Sequence, residues 1–301
     1  MSTAALAAGG VGSRLRDYIA LTKPNVMSLL LFTTLMSMLI AARGLPPLAL
    51  VVWTMLGGAL AAGASGAMNM YFDRDIDAAM TRTRSRPVPA GRIAPVHALL
   101  FGIALAVASF AVLALAVNLL SALLALAGII IYVGVYTLWL KRTSVQNIVI
   151  GGAAGAIPPL VGWAAVTGRL DMTAALLFLI IFVWTPPHFW ALALIAKNEY
   201  AKVGVPMMPV VRGETTTKRH IVIYSIALVA LTIALTPLHV MGTFYLVSAL
   251  LLGALFLLLA TRVAREGSIA AERAMYKYSM LYLALLFGAM VIDRFGRGPG
   301  A

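Results

Sequence analysis

Apolar residues do not alternate with polar ones along this chain. They run in long blocks separated by short polar stretches. A helix needs about 20 mostly apolar residues to cross a bilayer. Nine blocks meet that length, at 25–43, 48–68, 96–117, 119–139, 147–167, 173–196, 220–238, 240–261 and 276–293. The pattern predicts an all-α, polytopic membrane protein with nine transmembrane helices. The first block starts late and has no small-residue cleavage site after it, so it reads as a span rather than a leader. The expected organisation is a cytoplasmic N-terminal segment (1–24), one transmembrane domain (25–294) and a short tail (295–301).

Composition agrees with the pattern. Hydrophobic residues make up 62% of the chain and charged residues 11%, under half of the ~25% usual in soluble domains. The 23 Lys and Arg outnumber the 10 Asp and Glu, for a net charge of +13. A basic excess of this size would suit nucleic acid, but its distribution argues otherwise. Among the basic residues, only Arg43, Arg169, Arg294 and Arg297 fall on one side of the nine blocks. The positive-inside rule then sets the N-terminus and the long loops, 69–95 and 197–219, in the cytoplasm, with the C-terminus outside. The partner implied is the lipid bilayer, with no nucleic acid. The absence of cysteine excludes disulfides, thiolate metal sites and Cys nucleophiles.

Three acids crowd into NMYFDRDID: Asp73, Asp75 and Asp77. Asn69, Asp73 and Asp77 are spaced by four, so they share a face if the second helix runs on. Asp75 points away from them. Two carboxylates and an amide oxygen are hard donors suited to Mg2+, which leaves positions for substrate phosphates. A bound cation would also relieve the repulsion between the acids. Solvated loop acids would account for the cluster equally well on their own. Gly63 and Gly66 lie close by and favour tight helix packing. Arg82 and Arg86 follow, again four apart, and Pro87 stops a helix there. Paired Arg suits bidentate phosphate contact, so the segment reads as a diphosphate clamp. Positive-inside bias alone would also place these Arg.

The sixth block ends in Lys197, Asn198, Glu199 and Tyr200. An even number of spans separates it from Asp73, so both segments approach the same face in the same direction. This suggests a parallel internal repeat, with Glu199 facing the first cluster across a central cavity; a lone interfacial Glu is the simpler alternative. Pro158-Pro159 and Pro186-Pro187 are expected to break the fifth and sixth helices, where they face protein or a chamber. His188 lies deep in the sixth block, and an intramembrane ionisable group is a functional candidate. A hydrogen-bonded packing histidine is the alternative. Broken helices and repeats also occur in secondary transporters. Acids gathered at one interface beside paired Arg fit a diphosphate better than a transported ion.

Asn69-x-x-x-Asp73-x-x-x-Asp77 followed by Arg82 and Arg86 resembles the first aspartate motif of the UbiA-type intramembrane prenyltransferases. LTKP (21–24), MTRTRSRPVPAGRI (80–93), the segment 136–163, TPPHFWALAL (185–194) and YAKVGVPMMPVV (200–211) resemble the haem-farnesylating branch of that family. The resemblance covers about 14–290. It implies nine helices around a central cavity, Mg2+ as cofactor, and a bacterial cell inner membrane as location. It implies transfer of a farnesyl group from farnesyl diphosphate to a vinyl group of haem B, giving haem O and diphosphate. Haem is then a substrate, not a permanent cofactor, and a haem A synthase is the pathway partner. On this basis Asn69, Asp73, Asp77, Arg82 and Arg86 form the catalytic set. Glu199 joins Asn69, Asp73 and Asp77 as a metal ligand. Lys141, Arg142, His188, Lys197, Glu199 and Tyr200 contact substrate, with His188 either ligating haem iron or orienting the porphyrin. One departure concerns the second motif, where relatives usually carry two acids and this chain has Glu199 and Val203. A quinone-precursor or chlorophyll-type acceptor is the alternative within the family.

Overall fold

The structure is a computed structural model and describes residues 11–297. Residues 1–10 of the expected N-terminal segment and 298–301 of the tail lie outside it. The described residues are helical, without strands. In chain order the helices are α1 (Val11–Leu21), α2 (Pro24–Ala42), α3 (Leu48–Phe72), α4 (Arg74–Ala79), α5 (Pro95–Ala116), α6 (Leu119–Ile130), a π-helix (Ile131–Leu140), α7 (Lys141–Thr143), α8 (Asn147–Thr167), α9 (Met172–Ile195), α10 (Lys197–Lys202), α11 (Met208–Val211), α12 (Gly213–Ala234), α13 (Thr243–Glu266) and α14 (Ile269–Gly296). The stretch from α6 through the π-helix to α7 is one span. Nine helices among the described residues are therefore long and apolar enough to cross a membrane.

Local chemistry sets the helix ends. Pro24 takes the first turn of α2, where its missing N–H costs nothing. Asn118 caps α6 by accepting from Ser121 N at 2.8 Å, and Asp171 caps α9 by accepting from Thr173 N and Ala174 N. Gly168 and Gly267 end α8 and α13 at φ of 69° and 58°, a left-handed turn that favours glycine. Five spans run further than hydropathy indicates. The second continues to Phe72, the fourth to Thr143 and the eighth to Glu266, while the seventh starts at Gly213 and the ninth at Ile269. Each extension adds polar turns, which an apolar-block reading trims.

α8 and α9 form the centre of the bundle. In each, 61% of the most apolar stretch is buried, against 22% to 44% in the other spans. α2 packs on α8 so closely that a Cβ at Gly162 would strike the Thr34 carbonyl. Small residues permit such backbone approach in lipid. The expected breaks at the proline pairs do not occur: α8 and α9 run through Pro158-Pro159 and Pro186-Pro187 as continuous helices. Proline is tolerated in a membrane helix that packs against protein. Here Thr34 Oγ1 and Ser37 Oγ of α2 donate to the Pro158 and Pro159 carbonyls at 3.3 and 2.7 Å, which ties this stretch of α8 to its neighbour.

Two spans end in the same device. α3 stops at Asp73 (φ −91°, ψ 8°) and is followed by the six-residue α4. α9 stops at Ala196 (φ −99°, ψ 14°) and is followed by the six-residue α10. The bend is shared but the acids are not. Counted from the bend, Ala196 occupies the place of Asp73, and Glu199 the place of Ile76.

Candidate functional site

The acidic ladder survives the bend. Asp73 N donates to Asn69 O at 2.8 Å and Asp77 N to Asp73 O at 2.7 Å, so helical spacing carries over from α3 to α4. Asn69, Asp73 and Asp77 are thereby held together, each 3% exposed or less. Buried carboxylates need partners, and two cations supply them while a third binds the amide. Lys141 Nζ pairs with Asp73 Oδ2 at 2.5 Å, and Arg86 Nη1 with Asp77 Oδ2 at 2.7 Å. Lys23 Nζ donates to Asn69 Oδ1. Burial, and next the Arg86 guanidinium, bring the Lys23 ammonium down to about 7, against the pull of Asp77 and Asp73.

Asn69 is oriented from the other side. Its Nδ2 donates to Asp73 Oδ2 at 2.7 Å and to Thr137 Oγ1 at 3.0 Å. Thr137 sits in the π-helix and donates to the Tyr132 carbonyl five residues back, at 2.9 Å. π-Helical turns concentrate at functional sites, and this one leads directly into Lys141. Further out, Arg142 grips Asp75 through both guanidinium nitrogens at 2.8 and 2.7 Å. That hydrogen bond holds the Asp75 carboxyl down at about 2.

The donor set fits a hard divalent cation. Asp73 Oδ1 is enclosed and has no hydrogen-bond partner; Arg142 Nη2 lies 3.9 Å from it. A buried anionic oxygen left over in this way needs a ligand to complete it. Glu199 Oε2 is likewise enclosed and unpartnered. No three acidic or histidine side chains gather into a metal cage among the described residues. Arg82 is exposed. Lys197 turns to Glu214 at 3.1 Å, away from the acids. Tyr200 is buried in the core.

His188 belongs to a second locus. It lies seven residues before the end of α9, about 10 Å along the helix from it. The imidazole is 6% exposed and stacks on Trp184 and Tyr276, at ring distances of 4.4 and 4.8 Å. Its Nδ1 is 2.7 Å from Ser279 Oγ.

Sequence reasoning missed several of these partners. Lys23 had a signal, since it is a lone charge at the mouth of an apolar block. Thr137 and Asn147 were polar interruptions of such blocks. Asn147 is fully buried, with neither side-chain amide atom hydrogen-bonded. Ser279 gave no signal, because only helix packing brings it to His188.

Nine apolar helices with a buried, cation-clasped acidic pair at the end of one span define a polytopic integral membrane protein whose polar chemistry sits at helix ends. The chain belongs to the UbiA prenyltransferase family, whose model matches residues 30–286. It is 58% identical to a protoheme IX farnesyltransferase of Roseiflexus sp. (strain RS-1) over 95% of this chain. The chain spans about half of that relative, 53% of its length. It is 54% identical to a protoheme IX farnesyltransferase of Symbiobacterium thermophilum, covering 94% of this chain and 95% of the relative. A solved UbiA homolog from Archaeoglobus fulgidus bound to GPP and Mg2+ superposes with a TM-score of 0.65 at 19% identity, over 91% of this chain and 99% of that one. The transporter alternative falls with family membership.

Proposed function

We propose that this protein transfers a farnesyl group from farnesyl diphosphate to a vinyl group of haem B, giving haem O and diphosphate. The observation that carries the transfer chemistry is the Asn69–Asp73–Asp77 ladder clasped by Lys23, Lys141 and Arg86. The choice of haem as acceptor rests on the relatives named above.

Asn69, Asp73 and Asp77 would hold Mg2+, with Asp73 Oδ1 as the open donor. When bound, Mg2+ would neutralise charge on the diphosphate oxygens. The chain's own cations do the same from the protein side. Lys23, Lys141 and Arg86 already point at the ladder, Lys23 at its amide and the others at its acids, and turn to diphosphate oxygens when these arrive; exposed Arg82 and Arg142 extend the clamp. Stabilising the departing diphosphate lets the allylic C–O bond break, with its electron pair leaving on oxygen. The haem vinyl π-electrons then form the new C–C bond. Water adds to the resulting cation and loses a proton, leaving the hydroxyl. Keeping water from the allylic cation until that step is the task of the surrounding apolar helices. His188 would hold the haem iron, deeper in the bundle than the diphosphate. Tyr200, Lys197 and Glu199, at the second bend, would border the substrates.

We assign the protein to a bacterial inner membrane, with the acidic ladder on the cytoplasmic side. The support is the bias of basic residues to that side and the bacterial origin of the relatives. The haem O formed would pass to a haem A synthase. Incubation of the purified protein with haem B, Mg2+ and radiolabelled farnesyl diphosphate tests the reading. Label in haem is the expected result; label in a quinone precursor and none in haem would move the assignment to the alternative acceptor.

A further inference from the structure

We propose that Ser279 is a positioning residue that fixes the tautomer of His188 and so presents Nε2 as the electron-pair donor to haem iron. This rests on the haem reading above and adds to it a residue and a proton position.

The hydrogen bonds decide the tautomer. Ser279 Oγ lies 2.7 Å from the Tyr276 carbonyl and 2.7 Å from His188 Nδ1. A carbonyl can only accept, so the single hydroxyl proton must go to Tyr276 O. Were it given to Nδ1 instead, two lone-pair-bearing oxygens would face each other at 2.7 Å. The hydroxyl therefore offers Nδ1 a lone pair, and Nδ1 must carry the imidazole proton. A neutral imidazole has only one, which leaves Nε2 bare. Nε2 has no hydrogen-bond partner among the described residues and is not one of the fully enclosed unpaired polar atoms.

The ring is also held against rotation. Trp184 and Tyr276 stack on it at interplanar angles of 17° and 23°. Trp184 is itself pinned, since its Nε1 donates to the Ser279 carbonyl at 2.8 Å. Residue 279 thus anchors the imidazole through its hydroxyl and the stacking indole through its backbone. Trp184 and Tyr276 take up stacking surface of the imidazole, so the bare Nε2 edge is what His188 offers to haem iron.

The test is resonance Raman spectroscopy of the full chain with ferrous haem B, together with haem titration. Wild type should show an Fe–His stretch, and His188→Ala should lose it. Ser279→Ala should shift the band to lower frequency, because Nδ1–H has lost its acceptor, and should weaken haem binding roughly 10-fold or more. Ser279→Thr, which keeps the hydroxyl, should restore both, while retained farnesyl diphosphate binding reports that each variant is folded. An unchanged band and affinity in Ser279→Ala, or a Ser279→Thr variant that behaves like Ser279→Ala, overturns the proposal. Wild type that binds haem without an Fe–His band overturns it and leaves the haem reading standing. Wild type that does not bind haem overturns both.

Discussion

Asp73 is where the cationic shell converges: one oxygen holds Lys141 and Asn69, and the other is enclosed with no hydrogen-bond partner. Asp73→Ala should therefore lower prenyl transfer at least 100-fold, in the range for removal of a transition-state electrostatic contact. The variant should still insert in the membrane, which radiolabel transfer measured alongside protein in the membrane fraction would check. Full activity would exclude Asp73 from the diphosphate site. The ladder itself was legible in the sequence, because four-residue spacing survives on one helix face. Its partners were not. Lys23, Thr137 and Lys141 reach Asn69 or Asp73 across 46, 68 and 68 residues of chain, and Ser279 reaches His188 across 91. No local pattern encodes a contact of that separation. Lys197 shows the same limit: its pairing with Glu214 on α12 spans 17 residues and could not be read from the sequence beside the second bend.

At the scale of elements, the nine spans were legible as apolar blocks, while their polar first and last turns were not. The proline pairs misled for a related reason. Proline reports a missing donor but not the packing around it, and α2 packs its hydroxyls directly against the carbonyls of the α8 pair. That packing predicts a sensitive position. Gly162→Val would drive a side chain into the Thr34 carbonyl, and backbone cannot yield as a side-chain tip can. A destabilisation of roughly 1–3 kcal/mol is expected, measurable as a lowered unfolding midpoint in detergent. The π-helix gives a second. Gly134 has open space around it, so its deletion removes no packing, but it lets the segment close to α-helical pitch and severs the Thr137–Tyr132 contact. Activity should fall sharply while the span still inserts; unchanged activity would show that the wide turn has no bearing on Asn69.

Across the whole molecule, orientation is the property most directly encoded, because it follows from counting charges between spans. Since the chain has no cysteine, single introduced thiols give a clean probe. A membrane-impermeant maleimide should label Leu45→Cys in intact spheroplasts, and Ala90→Cys only after the membrane is opened. Both positions are exposed, so the reverse pattern would invert the assigned orientation. The bundle also separates its two loci by depth, with acids at the helix ends and His188 inside. A long, flat acceptor and a tailed donor can then meet at their reactive ends while their polar groups stay apart.

The pairing of Lys141 with Asp73 and of Arg86 with Asp77 makes the resting site an internally compensated salt. A divalent cation arriving alone must evict ammonium and guanidinium groups that then have no counter-charge. A diphosphate arriving alone must compete with carboxylates for those same groups. Together, cation and diphosphate exchange partners with the protein, and every charge ends matched. The two should therefore bind with positive thermodynamic coupling, each raising the other's affinity by an equal factor. Calorimetric titration of farnesyl diphosphate with and without Mg2+ reads that factor. Equal affinities would mean that the salt does not open. With such coupling the site would act as a coincidence detector, its buried acids staying paired until cation and diphosphate arrive together.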